Sequence, residues 1–148
     1  MDEIKIISRK KRIAIRDEDD QVIGEISFNP HDVAFAERFH EIYQEFASKQ
    51  KEYEAKAKEL DAANADVDQN GIPRQFDQGI AFIREVCEFM YEKIDQLFGE
   101  GTSKIVFRDS LDVDMIGQFF EGITPFIEQA RAEKIKGYFN KQTGKVLK

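Results

Sequence analysis

The chain has 148 residues, of which 41% are hydrophobic and 34% are charged. This length predicts one soluble globular domain, residues 1–148, which buries roughly 70% of the surface of its unfolded chain. No apolar run approaches the ~18 residues of a membrane span, and the charged first residues argue against a signal peptide. Cys87 is the only cysteine, which excludes an intrachain disulfide and indicates a reducing cytoplasm.

The net charge of −7 is distributed unevenly along the chain. Residues 1–16 hold six basic and two acidic residues, residues 17–128 hold ten and 26, and residues 129–148 hold six and one. Basic ends on an acidic body favour head-to-tail self-association or a mixed-charge partner, although a solvated surface with frayed basic ends explains the same pattern. The acidic body would repel phosphates, so nucleic acid is not an expected partner.

The first 28 residues predict a small antiparallel sheet of two or three strands. Three β-prone runs occur at residues 4–7, 12–15 and 22–28, and the polar residues 16–21 suit a hairpin connection between the last two. Apolar and polar residues alternate in both hairpin strands, which indicates that one face is covered. Because so small a sheet is marginally stable alone, it needs a helix packed against it.

A long helix is predicted from Asn29 to about Ala65. Asn29 as the N-cap, Pro30 at the first helical position and Asp32 in the first turn are all helix-start signals. Apolar residues then recur at spacings of three and four, and a helix of ~33 residues would be ~50 Å long. Its second half is charged with a narrow apolar stripe, like a coiled-coil arm, and therefore requires a partner helix.

Two further helices are predicted, at about residues 73–98 and 112–139. The first has an apolar face broad enough for two neighbours and ends at Gly99. A short apolar turn, residues 105–107, comes next, and the last helix is expected to bend or break at Pro125. Residues 140–148 are expected to form a flexible basic tail. The predicted fold class is α+β, mainly α, with a small N-terminal sheet (1–28) followed by a long helical hairpin and a third, proline-interrupted helix (29–139).

The sequence does not favour catalysis. His31 and His40 lie nine residues apart near the start of the first long helix, and Cys87 lies on the apolar stripe of the second. A free cysteine in such a stripe usually behaves as a small hydrophobic residue. There is no glycine-rich phosphate loop, and no carboxylate pair occupies an apolar setting that would shift its pKa. We therefore expect neither enzymatic activity nor a cofactor.

The connection between the first two helices partly matches a calcium-binding loop. It begins D-x-D-x-N-G, in which alternate oxygen atoms converge on a cation while glycine permits the sharp turn. However, the twelfth position is an aspartate, shorter than the usual bidentate glutamate, and Pro73 replaces a β-branched residue. An ordinary helix–helix turn is therefore the preferred interpretation. The secondary interpretation is a cation site formed by Asp66, Asp68, Asn70 and Asp77.

The last helix carries a wide apolar surface around its proline. Phe119 and Phe120 are adjacent and therefore lie about 100° apart on a helix. Either these residues close the protein's own core, or some of them stay exposed and serve self-assembly or bind the amphipathic segment of another protein. Three helices with broad or long stripes offer more apolar area than a small bundle can bury, which favours some exposure. The candidate protein-binding residues are Phe119, Phe120, Ile123, Pro125, Phe126 and Ile127.

Four segments of the chain resemble the tail assembly chaperones of long-tailed phages and prophages of Gram-positive bacteria. They are FNP (28–30), AERF (36–39), FGEGTSKIVF (98–107) and FFEGITPFIEQAR (119–131). The resemblance covers most of residues 26–138. It implies a non-catalytic protein that coats the long, aggregation-prone tape measure protein before tail tube subunits polymerise around it. It also implies action in the host bacterial cytoplasm and absence from the mature virion.

The resemblance implies the tape measure protein as partner, with the tail tube protein as a further one. Many members of the family are made in two lengths by a programmed frameshift, and this chain would be the short form. The alternative hypothesis is a phage-encoded protein that binds a host factor, for example an inhibitor of bacterial defence that mimics nucleic acid. Such mimicry needs a regular acidic stripe, whereas acidic residues are interspersed with lysines along the first long helix, for example at residues 49–52.

Overall fold

The computed structural model describes residues 1–63 and 65–147, with residues 132–147 described by their backbone alone. The fold is α+β and mainly α, with the sheet at the N-terminus, which confirms the predicted fold class. The elements in chain order are β1 (Lys11–Arg16), β2 (Val22–Phe28), α1 (Val33–Ala63), α2 (Phe76–Phe98), α3 (Thr102–Phe107) and α4 (Val113–Leu147).

The sheet is a two-stranded antiparallel hairpin. Ile13 pairs with Ile26, and the register shifts between Ile15 and Arg16. One oxygen of the Asp17 carboxylate accepts the backbone N–H groups of Asp19 and Gln21, at 2.9 and 3.0 Å, and so closes the turn. Residues 4–7, the first β-prone run, lie outside both strands, and their isoleucines are exposed.

Helix α1 begins at Val33, four residues after the predicted N-cap. The Asp32 carboxylate accepts the backbone N–H of Ala34 at 2.9 Å, which makes Asp32 the cap. Asn29 instead closes the preceding turn, because its side chain accepts the N–H of His31 at 3.0 Å and its carbonyl accepts the N–H of Asp32 at 3.1 Å. Asn29 and Asp32 are both residue types that cap helices. The sequence analysis predicted Asn29 as the cap, which was wrong, because the structure uses Asp32.

The FGEGTS segment forms the joint between α2 and α3. Gly99 and Gly101 have φ angles of 116° and 90°, which residues with a Cβ rarely adopt. The Asp95 carboxylate accepts the backbone N–H of Ser103 at 2.7 Å and its hydroxyl at 2.9 Å. An acidic residue of α2 therefore satisfies the N-terminus of α3. Residues 105–107, predicted as a turn, are the last turn of this short helix.

The sequence predicted a bend or a break of α4 at Pro125, and the structure shows no break, because the helix runs through Pro125 as one element. Proline removes only the N–H that would bond to the Glu121 carbonyl, and both residues lie on the exposed side of the helix. The Thr124 hydroxyl also donates to the Phe120 carbonyl at 2.6 Å. The helix continues to Leu147, so residues 140–147 of the predicted tail have a helical backbone. Adding a residue to an existing helix costs less free energy than nucleating a new helix, which explains this extension.

The core lies where the sheet meets the C-terminal half of α2. The ring of Phe98 packs against three other rings, those of Phe28 on β2, Phe35 on α1 and Phe119 on α4, with centroids 5.2–5.6 Å apart. Phe107 on α3 is fully buried and stacks on Tyr91 at 4.6 Å. Each helix therefore contributes at least one aromatic ring to a single core.

Substituting Gly24 tests the close approach of α3 to the sheet. A Cβ on Gly24 would lie 2.4 Å from Cγ2 of Ile105, so we expect Gly24→Ala to lower the free energy of unfolding by about 1–3 kcal/mol in urea titrations. Gly117→Ala, on a helical residue with open space around it, should raise it by about 0.5–1 kcal/mol. Equal stability of both variants would contradict this close packing.

Asp95 provides a second test, of the joint between α2 and α3. We expect Asp95→Ala to lower the free energy of unfolding by about 1–3 kcal/mol, because it leaves the N–H and hydroxyl of Ser103 without their acceptor. Glu92→Ala, one turn earlier and exposed, should change it by less than about 0.5 kcal/mol. A loss no larger than that of Glu92→Ala would show that the carboxylate does not hold the joint.

Candidate protein-binding groove

An open apolar groove runs between α1 and α2, with a volume of about 540 Å³. We call it the α1–α2 groove. It is lined by one face of each helix and by the first residue of α4, and most of the lining is apolar or aromatic. The lining residues are Tyr43, Phe46, Ala47, Lys49, Gln50, Tyr53, Glu54, Ala57, Phe82, Ile83, Val86, Phe89, Met90 and Val113.

The groove exists because the two helices extend beyond the core. The buried residues of α2 all lie at or after Cys87. The N-terminal half of α2 and the C-terminal half of α1 therefore form an arm whose helices pack mainly on each other, as the contact between Tyr53 and Phe82 shows. On this arm Phe76, Ile80 and Ile83 remain 52%, 47% and 48% exposed. These values are high for large apolar residues at helix-pairing positions.

Aromatic rings form the floor of the groove. Phe89 packs against Phe46 and Tyr53 with centroids 6.1 and 6.3 Å apart, both in edge-to-face geometry. Phe46 in turn contacts Phe120 on α4 at 5.5 Å. The floor is therefore continuous with the core, which gives a bound segment a preformed surface.

Two lysines cover the ring of Phe89 at the side of the groove. The ammonium groups of Lys49 and Lys93 each lie 5.6 Å from the ring centroid. Lys93 pairs with Glu45 at 2.7 Å and Lys49 pairs with Glu52 at 3.4 Å. Burial raises the pKa of the Tyr53 hydroxyl above its ordinary value. The groove thus offers a neutral apolar floor between paired charges.

The structure buries half of the binding residues predicted from sequence. Phe119, Ile123 and Ile127 are buried in the core. Phe120 and Phe126 are half-buried and pack against that core, and Pro125 is exposed. The surface predicted on α4 is therefore mainly the protein's own core, and Phe119, Ile123 and Ile127 are not accessible to a partner in this conformation.

Sequence reasoning assigned the groove residues to helix pairing and so missed them as a site. The signal was nevertheless present, because the apolar face of α2 is broader than one neighbouring helix can cover. Ile83 and Val86 of this face line the open groove, as does Tyr43 on α1. The breadth of the stripe predicted a second neighbour, and in the arm that position is open.

The loop with the candidate cation ligands is closed by its own hydrogen bonds. The Asp68 carboxylate accepts the backbone N–H groups of Asn70 and Ile72 at 2.8 and 3.0 Å. The Asp66 carboxylate pairs with the Arg74 guanidinium at 3.3 Å. In the described part of the chain, no group of three or more His, Cys, Asp and Glu side chains is placed to hold a metal ion. The carboxylates of Asp66 and Asp68 therefore have structural partners within the loop itself.

Cys87 is fully buried among the helices, and burial raises its thiol pKa. Because the thiolate is the reactive form and is disfavoured here, we expect Cys87 in the folded protein to react with a disulfide reagent at least ~100-fold more slowly than in urea. As a control, Ala81→Cys in a Cys87→Ala background places an exposed thiol on the same helix. Comparable rates for the two thiols would contradict the buried position.

Comparison with models of known protein families assigns the chain to one family. Residues 24–145 match the model of a family of unknown function, DUF6673. The chain belongs to this family. The match begins at Gly24, where β2 contacts α3, and it includes the α1–α2 groove. No curated protein and no solved structure matches the chain. Among the described residues of this DUF6673 member, no helix is long and apolar enough to cross a membrane.

Proposed function

We propose that this protein is a tail assembly chaperone, which binds and solubilises the tape measure protein without catalysis during phage tail assembly. The observation that carries the proposal is the open α1–α2 groove with its aromatic floor. The sequence resemblance of the FGEGTSKIVF and FFEGITPFIEQAR segments supplies the client. In this proposal the protein acts in the host bacterial cytoplasm, hands the client on to the tail tube protein and is absent from the mature virion.

The dimensions of the groove suit an amphipathic helix. Its α1 wall extends from Tyr43 to Ala57, which corresponds to about 21 Å of helix. Anchor residues at positions i, i+3 or i+4, and i+7 of a partner helix span about 10.5 Å, so they fit along this wall. A long helical client with repeated apolar stripes would present many such segments, and several copies of the chaperone would coat it.

The charge of the hairpin supports a role in solubility. Residues 33–98 contain 14 acidic and eight basic residues, a net charge of −6. A client segment in the groove would have its apolar stripe covered while the complex presents an acidic surface to water. Net charge of one sign opposes association between coated particles. The same charge favours client segments whose apolar stripe is flanked by lysine or arginine.

Co-expression with the tape measure protein of the same phage tests the proposal. We expect the native chain to shift the client from the insoluble to the soluble fraction and to co-purify with it. Ile83→Glu places a carboxylate in the half-exposed wall of the groove and should reduce the recovered complex at least ~10-fold, because a charge must be desolvated on binding.

Val33→Glu is the matched control, since Val33 is 54% exposed and lies at the start of α1, away from the groove. It should solubilise the client as the native chain does, and both variants should keep the native circular dichroism spectrum. Two outcomes would refute the proposal: a client that stays insoluble beside the native chain, or equal recovery with Ile83→Glu and Val33→Glu.

A further inference from the structure

Residues 132–147 continue helix α4 past Ala130, which is buried. In the sequence of this segment, apolar residues recur at spacings of three, four and seven, a pattern that places them on one face of a helix. They are Ala132, Ile135, Phe139 and Val146. The segment also contains four lysines and one glutamate, a net charge of +3. It is therefore a basic amphipathic helix by sequence.

This segment complements the α1–α2 groove in length and charge. A helix of sixteen residues is about 24 Å long, and the α1 wall of the groove is about 21 Å long. The hairpin carries a net charge of −6 against +3 for the segment. The charged residues of the groove lining are Glu54 and Lys49, and the exposed Glu85 lies two positions after the lining residue Ile83 on α2.

The groove cannot receive this segment from its own chain. Val113, the first residue of α4, lines the groove. Because α4 is one continuous helix, it carries residue 132 about 28 Å away from Val113. Helix α4 would have to break in order to fold back. A second copy of the chain can supply the segment without any such change.

We propose that residues 132–147 of one copy bind the α1–α2 groove of a second copy, so that the protein self-associates head to tail. The contact joins two different surfaces, which leaves a free groove at one end of each assembly and a free segment at the other. Assemblies of more than two copies therefore follow as the concentration rises. This proposal depends on the groove but not on the identity of the client.

Two complementary variants test the contact by sedimentation velocity between about 1 and 100 µM. The native chain should show a sedimentation coefficient that rises with concentration. Ile83→Glu blocks the groove and leaves the segment intact, whereas the double variant Ile135→Glu/Phe139→Glu blocks the segment and leaves the groove intact. Each variant alone should remain monomeric, because neither has both surfaces.

An equimolar mixture of these two variants should form a discrete dimer, since one native groove then meets one native segment and the assembly cannot grow further. Val33→Glu should associate as the native chain does. Circular dichroism of each variant shows whether it is folded. A charge test is independent: Lys134→Glu/Lys136→Glu/Lys141→Glu should abolish association, and adding Glu54→Lys/Glu85→Lys should restore it at least in part.

Three outcomes would overturn the proposal. The native chain could remain monomeric throughout the concentration range, or the groove variant could still self-associate, which would indicate pairing between two α4 segments instead. The folded variants could also remain monomeric when mixed. None of these measurements contains the tape measure protein, so failure of self-association is distinguishable from failure of the proposed chaperone function.

Discussion

The packing of Phe98 against three other rings is the contact on which the rest of the structure depends. Phe98 is the last residue of α2, and the three rings that its side chain contacts belong to β2, α1 and α4. Aromatic pairs in such geometry contribute about 0.5–1.5 kcal/mol each beyond the area they bury. The chain then turns at once through Gly99 into α3, which Asp95 holds in place. Elements far apart in sequence are thus fixed around the end of one helix.

An anchor at one end of a helical hairpin leaves the other end without a core. Helices α1 and α2 have 31 and 23 residues, about 46 and 35 Å of length. The sheet, α3 and the first half of α4 all pack near Phe98, so the arm helices beyond Phe89 pack mainly on each other. Its outer apolar residues, such as Ile83, consequently remain exposed. The groove is a direct result of helices longer than the core that holds them.

Sequence periodicity predicted the helices well, because apolar spacing depends on local geometry alone. It was less successful where the outcome depends on tertiary contacts. Pro125 was expected to bend or break α4, but its missing hydrogen bond lies on the exposed side and the helix is not broken there. Phe119 and Ile83 have the same spacing signature, yet one lies in the core and the other in an open groove. Whether such a residue is buried or exposed depends on its distance from the aromatic contacts of Phe98. The local sequence pattern does not contain that distance.

The two proposed occupants of the groove are physically compatible. Both are amphipathic helices with an apolar stripe, and an acidic hairpin favours basic flanks in either case. A second copy offers one such segment, whereas a long helical client offers many in a row. Neighbouring copies bound along one client are held at high effective concentration. A client with many segments therefore displaces residues 132–147 from the groove even if each of its segments binds no more tightly than they do. Reversible self-association would then cover the apolar groove until the client is synthesised. The exposed arm that lets the protein bind a second copy would also give it a preference for long partners with repeated apolar segments.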